Sequence, residues 1–206
     1  MSPRIVASVQ SDQPFRLALL GIILLAFPIA VFHRARSHAP REPLDRRQEG
    51  WFILLTLRPL GLATWAGVIA FLIDPSYMTW SSVPLPAWAR WTGVAVSAIG
   101  GGLLTWTLVR LGPNLTDTVV TRREHTLVTR GPYRFVRHPF YDAAALFVIG
   151  IALLAANWFV FAAGASVVAL LVLRTRTEEA NLLARFGAPY QDYLDRTGRF
   201  LPTMAR

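Results

Sequence analysis

The chain has 206 residues and a formal net charge of +9, with 53% hydrophobic residues and only 16% charged ones, where soluble domains carry about a quarter. This excludes a disordered chain and, because the apolar residues gather in blocks, points to an integral membrane protein in place of a soluble globule. The absence of cysteine excludes disulfides, thiolate metal sites and cysteine nucleophiles, and since all 21 basic residues are arginine, lysine Schiff bases and a P-loop lysine are excluded too.

Five apolar blocks follow one another: 15–32, with Arg16 the one charge at its edge, then 51–73, 88–109, 141–156 and 158–173. A membrane-spanning helix needs about 20 residues, and shorter ones are accommodated by tilt or local thinning. The last two blocks, separated by Asn157 alone, therefore read as a tight helical hairpin. Arginines, and no small-residue cleavage site, follow the first block, so it reads as a retained span and not as a removed signal peptide. The expectation is an all-α polytopic membrane protein with five transmembrane helices, built as one unit over 1–206 without internal repeats.

Arginine placement sets the orientation. Arg34, Arg36, Arg41, Arg46 and Arg47 follow the first block, whereas the loop over 74–87 carries no basic residue. Arg110, Arg122, Arg123, Arg130, Arg134 and Arg137 follow the third block, and Arg174, Arg176 and Arg185 the fifth. Basic and non-basic loops alternate, which places the amino terminus outside and the carboxyl terminus in the cytoplasm. The positive charge is thereby read as cytoplasmic loops facing anionic lipid, with no nucleic-acid partner.

Two cytoplasmic stretches are long enough to build a site, 111–140 and 174–206. The second continues the fifth helix, with Leu182, Leu183 and Phe186 at helical spacing, and stops at Gly187, which suits a position just past a helix end. A short helix after Pro189 then places Tyr190, Tyr193 and Leu194 on one face.

The densest cluster of polar and aromatic residues runs from Gly131 to Tyr141. Pro139 suits the first position of a helix, so the fourth span is expected to start there. Such a start offers free backbone N–H groups and a positive dipole end to a carboxylate or phosphate. Arg137 adds charge to it, and Tyr133 and Tyr141 are suited to face a cation. The competing reading is an interfacial anchor of arginines and aromatics at the headgroup level. In a second cluster Arg174 and Glu178 share a helix face, with Glu179 adjacent. The plain alternative is an intrahelical ion pair, although arginine before glutamate is the weaker order for one, and carboxylates at a membrane edge tend to hold a partner or ligand. Gly100, Gly101 and Gly102 are read as close helix packing. Arg58 is read as snorkelling to the interface or entering a polar cavity. His33 and His38 lack carboxylates at ligand spacing, so no metal site is expected.

The run His125-Thr126-Leu127-Val128, then Gly131-Pro132-Tyr133-Arg134, then Arg137-His138-Pro139-Phe140-Tyr141 resembles the isoprenylcysteine carboxyl methyltransferase family of membrane enzymes. So does the tail, with Arg174, Glu178-Glu179, Phe186-Gly187, Tyr190, Tyr193 and Arg199-Phe200-Leu201-Pro202. The resemblance covers about residues 110 to 202 in order. It implies S-adenosylmethionine as methyl donor, three N-terminal spans over 1–110, and a cofactor-binding and catalytic part over 111–206 that faces the cytoplasm. By matching position, His125, Thr126, Leu127, Val128 and Tyr133 contact the adenosine part. His138, Pro139, Phe140 and Tyr141 line the cofactor at the helix start, with Arg137 beside them. Glu178 and Glu179 hold its polar groups, and Arg174 meets the substrate as the catalytic residue. Two positions depart from the pattern: Asp142-Ala143 stands where the family has small residues with glycine, and Thr118 where eukaryotic members have glutamine.

A sulfonium methyl is already activated, so a protein need only align a nucleophile with it in a dry pocket. A carboxylate is ionised at neutral pH and needs a cation to place it, a task Arg174 fits. An amine must first lose a proton, with Glu178, Glu179, His125 or His138 as the available bases. The expected reaction is O-methylation of a carboxylate on a lipophilic, isoprenoid-like or lipidated molecule. The alternatives are N-methylation of a phospholipid amine, and a non-enzymatic membrane scaffold or transporter. The setting is expected to be a bacterial inner membrane.

Overall fold

The computed structural model describes residues 3–37, 51–112 and 126–203. Within them the protein is built from six helices: α1 (Pro3–Ser37), α2 (Trp51–Ile73), α3 (Ala87–Leu111), α4 (Pro139–Ala155), α5 (Trp158–Phe186) and α6 (Ala188–Arg196). Short 3₁₀ turns at Pro75–Ser81 and Gly131–Arg134 lead into α3 and α4. No strand occurs among the described residues, and two isolated bridges are the extended pairings there. The all-helical expectation holds.

Stretches of α1 (Asp12–His33), α2 (Leu55–Ile73), α3 and α5 are each long and apolar enough to cross a membrane. The fourth apolar block is shorter: α4 has 17 residues, about 25 Å at 1.5 Å per residue, against a hydrocarbon core of about 30 Å. Four helices, not five, therefore meet the length criterion outright. The fifth block does not end with its apolar run either. Its helix continues through the charged residues to Phe186, so the carboxylates at 178 and 179 ride on the same rigid rod that packs in the bundle.

α4 lies between α3 and α5, while α1 flanks α3 and α2 flanks α5. The α3–α4 contact is made at backbone distance. A Cβ on Gly93 would meet Leu154 N at 2.5 Å, one on Gly100 would meet Phe147 N at 2.7 Å, and one on Gly150 would strike the backbone of Ser97. Of the triple glycine, Gly100 makes the backbone approach, Gly101 lies at ordinary distance from Phe147 and from α1, and Gly102 faces open space. Small residues let the helices approach where lipid supplies no hydrophobic drive between them.

The apolar core gathers toward the Asp74 end of the bundle, around Leu19, Phe71, Met78, Leu154 and Val160. That end is closed by polar side chains acting on helix termini. The Arg16 guanidinium donates to the Leu72 and Ile73 carbonyls at 2.7 Å, closing the last turn of α2. Arg90 donates through Nε to Leu154 O at 2.9 Å, pairs with Asp12 at 2.5 Å, and lies 3.9 Å above the Phe15 ring. The α4–α5 hairpin turns where expected, with the work divided between two residues. Ala156 adopts the left-handed conformation (φ 49°) and Asn157 caps α5, its Oδ1 accepting from Val160 N at 3.0 Å. The Asn157 amide also donates to Ser81 Oγ at 2.8 Å and Met78 O at 3.3 Å, tying the hairpin to the 3₁₀ turn.

Candidate functional site

At the opposite end of the α4–α5 pair, His138 is the N-cap of α4 and Pro139 occupies its first turn, fully buried. Tyr141 comes three residues after His138, and the two rings stack in parallel with centroids 5.3 Å apart. The Tyr141 hydroxyl donates to Glu178 Oε2 at 2.7 Å, which joins α4 to α5 across the site. His138 Nδ1 lies 3.9 Å from the same carboxylate oxygen. Glu178 retains 31% side-chain exposure, so this carboxylate is fixed on one side and open on the other. Phe140 meets Tyr141 edge-on at 5.9 Å.

Glu179, its neighbour, is used differently. Its Oε1 accepts from Arg137 Nε at 2.9 Å and from Arg199 Nε at 3.1 Å, and lies 3.1 Å from His138 Nε2. Its Oε2 accepts from Arg199 Nη2. Arg137 also donates to the carbonyls of Leu194 and Thr197. Arg137 and Glu179, both among the residues expected at the cofactor, are thus also tied into the fold, where burial of a charge requires partners of opposite sign.

The tail completes the arrangement. Residues 197–200 run beside 136–138, bridged at Val136 and Gly198, with Arg137 N donating to Gly198 O at 2.8 Å and His138 N to Arg199 O at 3.1 Å. One of the backbone donors expected to be free at the start of α4 is thus satisfied by the tail. Phe200 tilts over the His138 ring at 5.8 Å. α6 is amphipathic as its spacing predicts, and its buried Tyr193 donates to the Tyr133 carbonyl at 2.6 Å, fixing the turn before α4. Burial pushes the Tyr133, Tyr190 and Tyr193 phenols above their ordinary range, with Glu178 adding to the effect at Tyr133, and Glu179 and then Glu178 at Tyr190.

Arg174 stands one turn before Glu178 on α5, buried at 6% exposure and within electrostatic reach of Tyr141. Thr126 is exposed and Leu127 and Val128 half-buried, in a segment without helix or strand that leads to the Gly131–Arg134 turn. His125, Thr118 and His38 lie outside the described residues. Arg199 and Tyr193 belong to the tail that carries the family resemblance, but their bonds to Glu179 and to the Tyr133 carbonyl were not foreseen, since no helical or strand period links residue 199 to 179 or 193 to 133. No group of three or more potential metal ligands occurs among the described residues.

Comparison with known proteins converges on this stretch. The model of the isoprenylcysteine carboxyl methyltransferase family matches residues 92–184. The cobalt-zinc-cadmium resistance protein CzcN of Cupriavidus metallidurans is 30% identical over 125 residues, covering 57% of this chain and 56% of that protein. The protein-S-isoprenylcysteine O-methyltransferase of Schizosaccharomyces pombe is 32% identical over 112 residues, 50% of this chain and 45% of that protein. The chain thus spans about half the length of the curated relatives it matches. The structure of a eukaryotic intramembrane Ras methyltransferase superposes with a TM-score of 0.53 at 20% identity, covering 91% of this chain and 68% of the other, which establishes a shared fold.

Proposed function

We propose that this chain, which matches the model of the isoprenylcysteine carboxyl methyltransferase family over residues 92–184, is a membrane methyltransferase that uses S-adenosylmethionine to methylate a carboxylate on a lipophilic, isoprenoid-like or lipidated substrate. What carries this reading is the Glu178 carboxylate, held on one face by Tyr141 and exposed on the other, beside stacked His138 and Tyr141 rings. A donor bearing an ammonium group and a sulfonium fits such a set: a part-open carboxylate for the first and aromatic faces for the second. When bound, S-adenosylmethionine supplies an electrophilic methyl group. Thr126, Leu127, Val128 and Tyr133 would hold its adenosine part, and Phe140 and Pro139 would keep water away.

Arg174 acts on the acceptor. It is buried at the end of the apolar run of α5, where a guanidinium can hold an anionic head in place while the lipid-soluble body remains among the helices. A carboxylate held this way needs no base. All five apolar helices cross the membrane, α4 by local thinning. The amino terminus lies outside and the site faces the cytoplasm of a bacterial cell, its inner membrane being the host; the arginine distribution supports this. N-methylation of an amine is the second reading, favoured by Asp142, a half-buried carboxylate one turn after His138 where a base would be required.

Membranes containing the protein, incubated with methyl-labelled donor and either an N-acyl-S-prenylcysteine or native lipid extract, test the assignment. Base-labile labelled ester is expected, with Arg174→Ala lowering turnover at least tenfold and donor affinity little changed. Base-stable methylated amine would replace the first reading by the second, and no transfer to either acceptor would contradict both.

A further inference from the structure

We propose that the C-terminal tail is a working part of the site, with Arg199 as a positioning residue that sets His138 through Glu179. The inference rests on the donor-binding reading above. The Glu179 carboxylate has two oxygens with unequal support. Oε1 is shared by Arg137, Arg199 and His138, whereas among the described residues Oε2 accepts from Arg199 alone. The two Arg199 bonds form a fork on both oxygens, the geometry that fixes the carboxylate plane. Without the fork the carboxylate is free to turn about its remaining partners, and His138 Nε2 turns with it.

His138 is where that motion reaches the donor site. Its ring stacks on Tyr141, whose hydroxyl holds Glu178. Its backbone N–H is held by the Arg199 carbonyl, so the same tail residue fixes both the main chain and, through Glu179, the ring. The tail is itself tightly built at this point: a Cβ on Gly198 would strike the Leu201 carbonyl, so the turn after residue 198 excludes a side chain there. Two residues far from α4 in sequence therefore determine the orientation of the helix cap that faces the cofactor. Arg199 keeps 38% side-chain exposure and needs no contact with the donor for this role.

Titration calorimetry of S-adenosylhomocysteine, the demethylated donor, into detergent-purified full-length protein tests the inference. Arg199→Ala is expected to weaken binding about tenfold and Arg199→Lys to recover only part of the loss, since lysine restores the charge but not the fork. The double variant Arg199→Ala/Glu179→Gln is expected to bind no more weakly than the poorer single variant, because one residue acts through the other. Chymotryptic cleavage at Phe200, followed without ligand, is expected to speed up in the same variants. Unchanged affinity in Arg199→Ala, full recovery with lysine, or additive losses in the double variant would each overturn the proposal. If the wild-type protein fails to bind the probe, the donor reading falls. Cleavage at Phe200 that is equally slow in wild type and Arg199→Ala would then overturn the tail linkage separately.

Discussion

The two ends of the α4–α5 pair are both polar, and they use polarity in opposite ways. At the Asp74 end three polar side chains complete helix termini: Arg16 on α2, Arg90 on α4 and Asn157 on α5. Such groups are consumed by the fold, since a buried polar group is tolerated when it is hydrogen-bonded and is costly when it is not. At the Glu178 end the same chemistry is divided between two adjacent residues. Glu179 meets Arg137, Arg199 and His138, whereas Glu178 accepts from Tyr141, has His138 Nδ1 3.9 Å away and stays partly open. Adjacent carboxylates on one helix point about 100° apart, so one turns into the fold and the other toward the site. Proximity in sequence is thus a poor guide to role, and the pattern of partners a good one.

The largest expected effect falls on the Asp74 end. Arg90→Met removes the partner of Asp12 and the donor to Leu154 O, and should destabilise the protein by about 3 kcal/mol, with donor affinity measured below the melting temperature unchanged. Thermal unfolding in detergent checks the first part and calorimetry the second. At the other end, Glu178→Ala should cost about 1.5–3 kcal/mol of binding, or roughly ten- to hundredfold in dissociation constant, while thermal unfolding stays near wild type. Asn157→Ala should cost about 1–2 kcal/mol of stability through the lost cap and amide bonds, again without a change in affinity. A binding loss in Arg90→Met or Asn157→Ala equal to that in Glu178→Ala would erase the distinction between the two ends.

Much of this was legible in the sequence where the physics is local. Apolar blocks gave the helices, Pro139 the start of α4, Gly187 the end of α5 and Tyr190 and Tyr193 the buried face of α6. The hairpin at Asn157 was legible because polar residues that cap helices interrupt apolar runs. The shortness of the fourth apolar block was legible too, and α4 has 17 residues, fewer than the usual span. The division between Glu178 and Glu179 was not legible. It depends on Arg137 and Arg199 arriving from other segments, and Arg199 is brought there by a tail whose pairing with 136–138 has no sequence period. The close α3–α4 approach was legible as small residues, but which glycine makes it is decided by the crossing point of the two helices.

In the proposed function Glu178, not Glu179 or the Asp74 end, presents the carboxylate that binds the methyl donor. Titrating S-adenosylhomocysteine into wild type, Glu178→Ala and Arg90→Met, each held below its own melting temperature, measures it directly. The account predicts saturable binding by wild type and Arg90→Met with equal affinity, and binding at least tenfold weaker by Glu178→Ala. Equal binding by wild type and Glu178→Ala, or a loss confined to Arg90→Met, would contradict it.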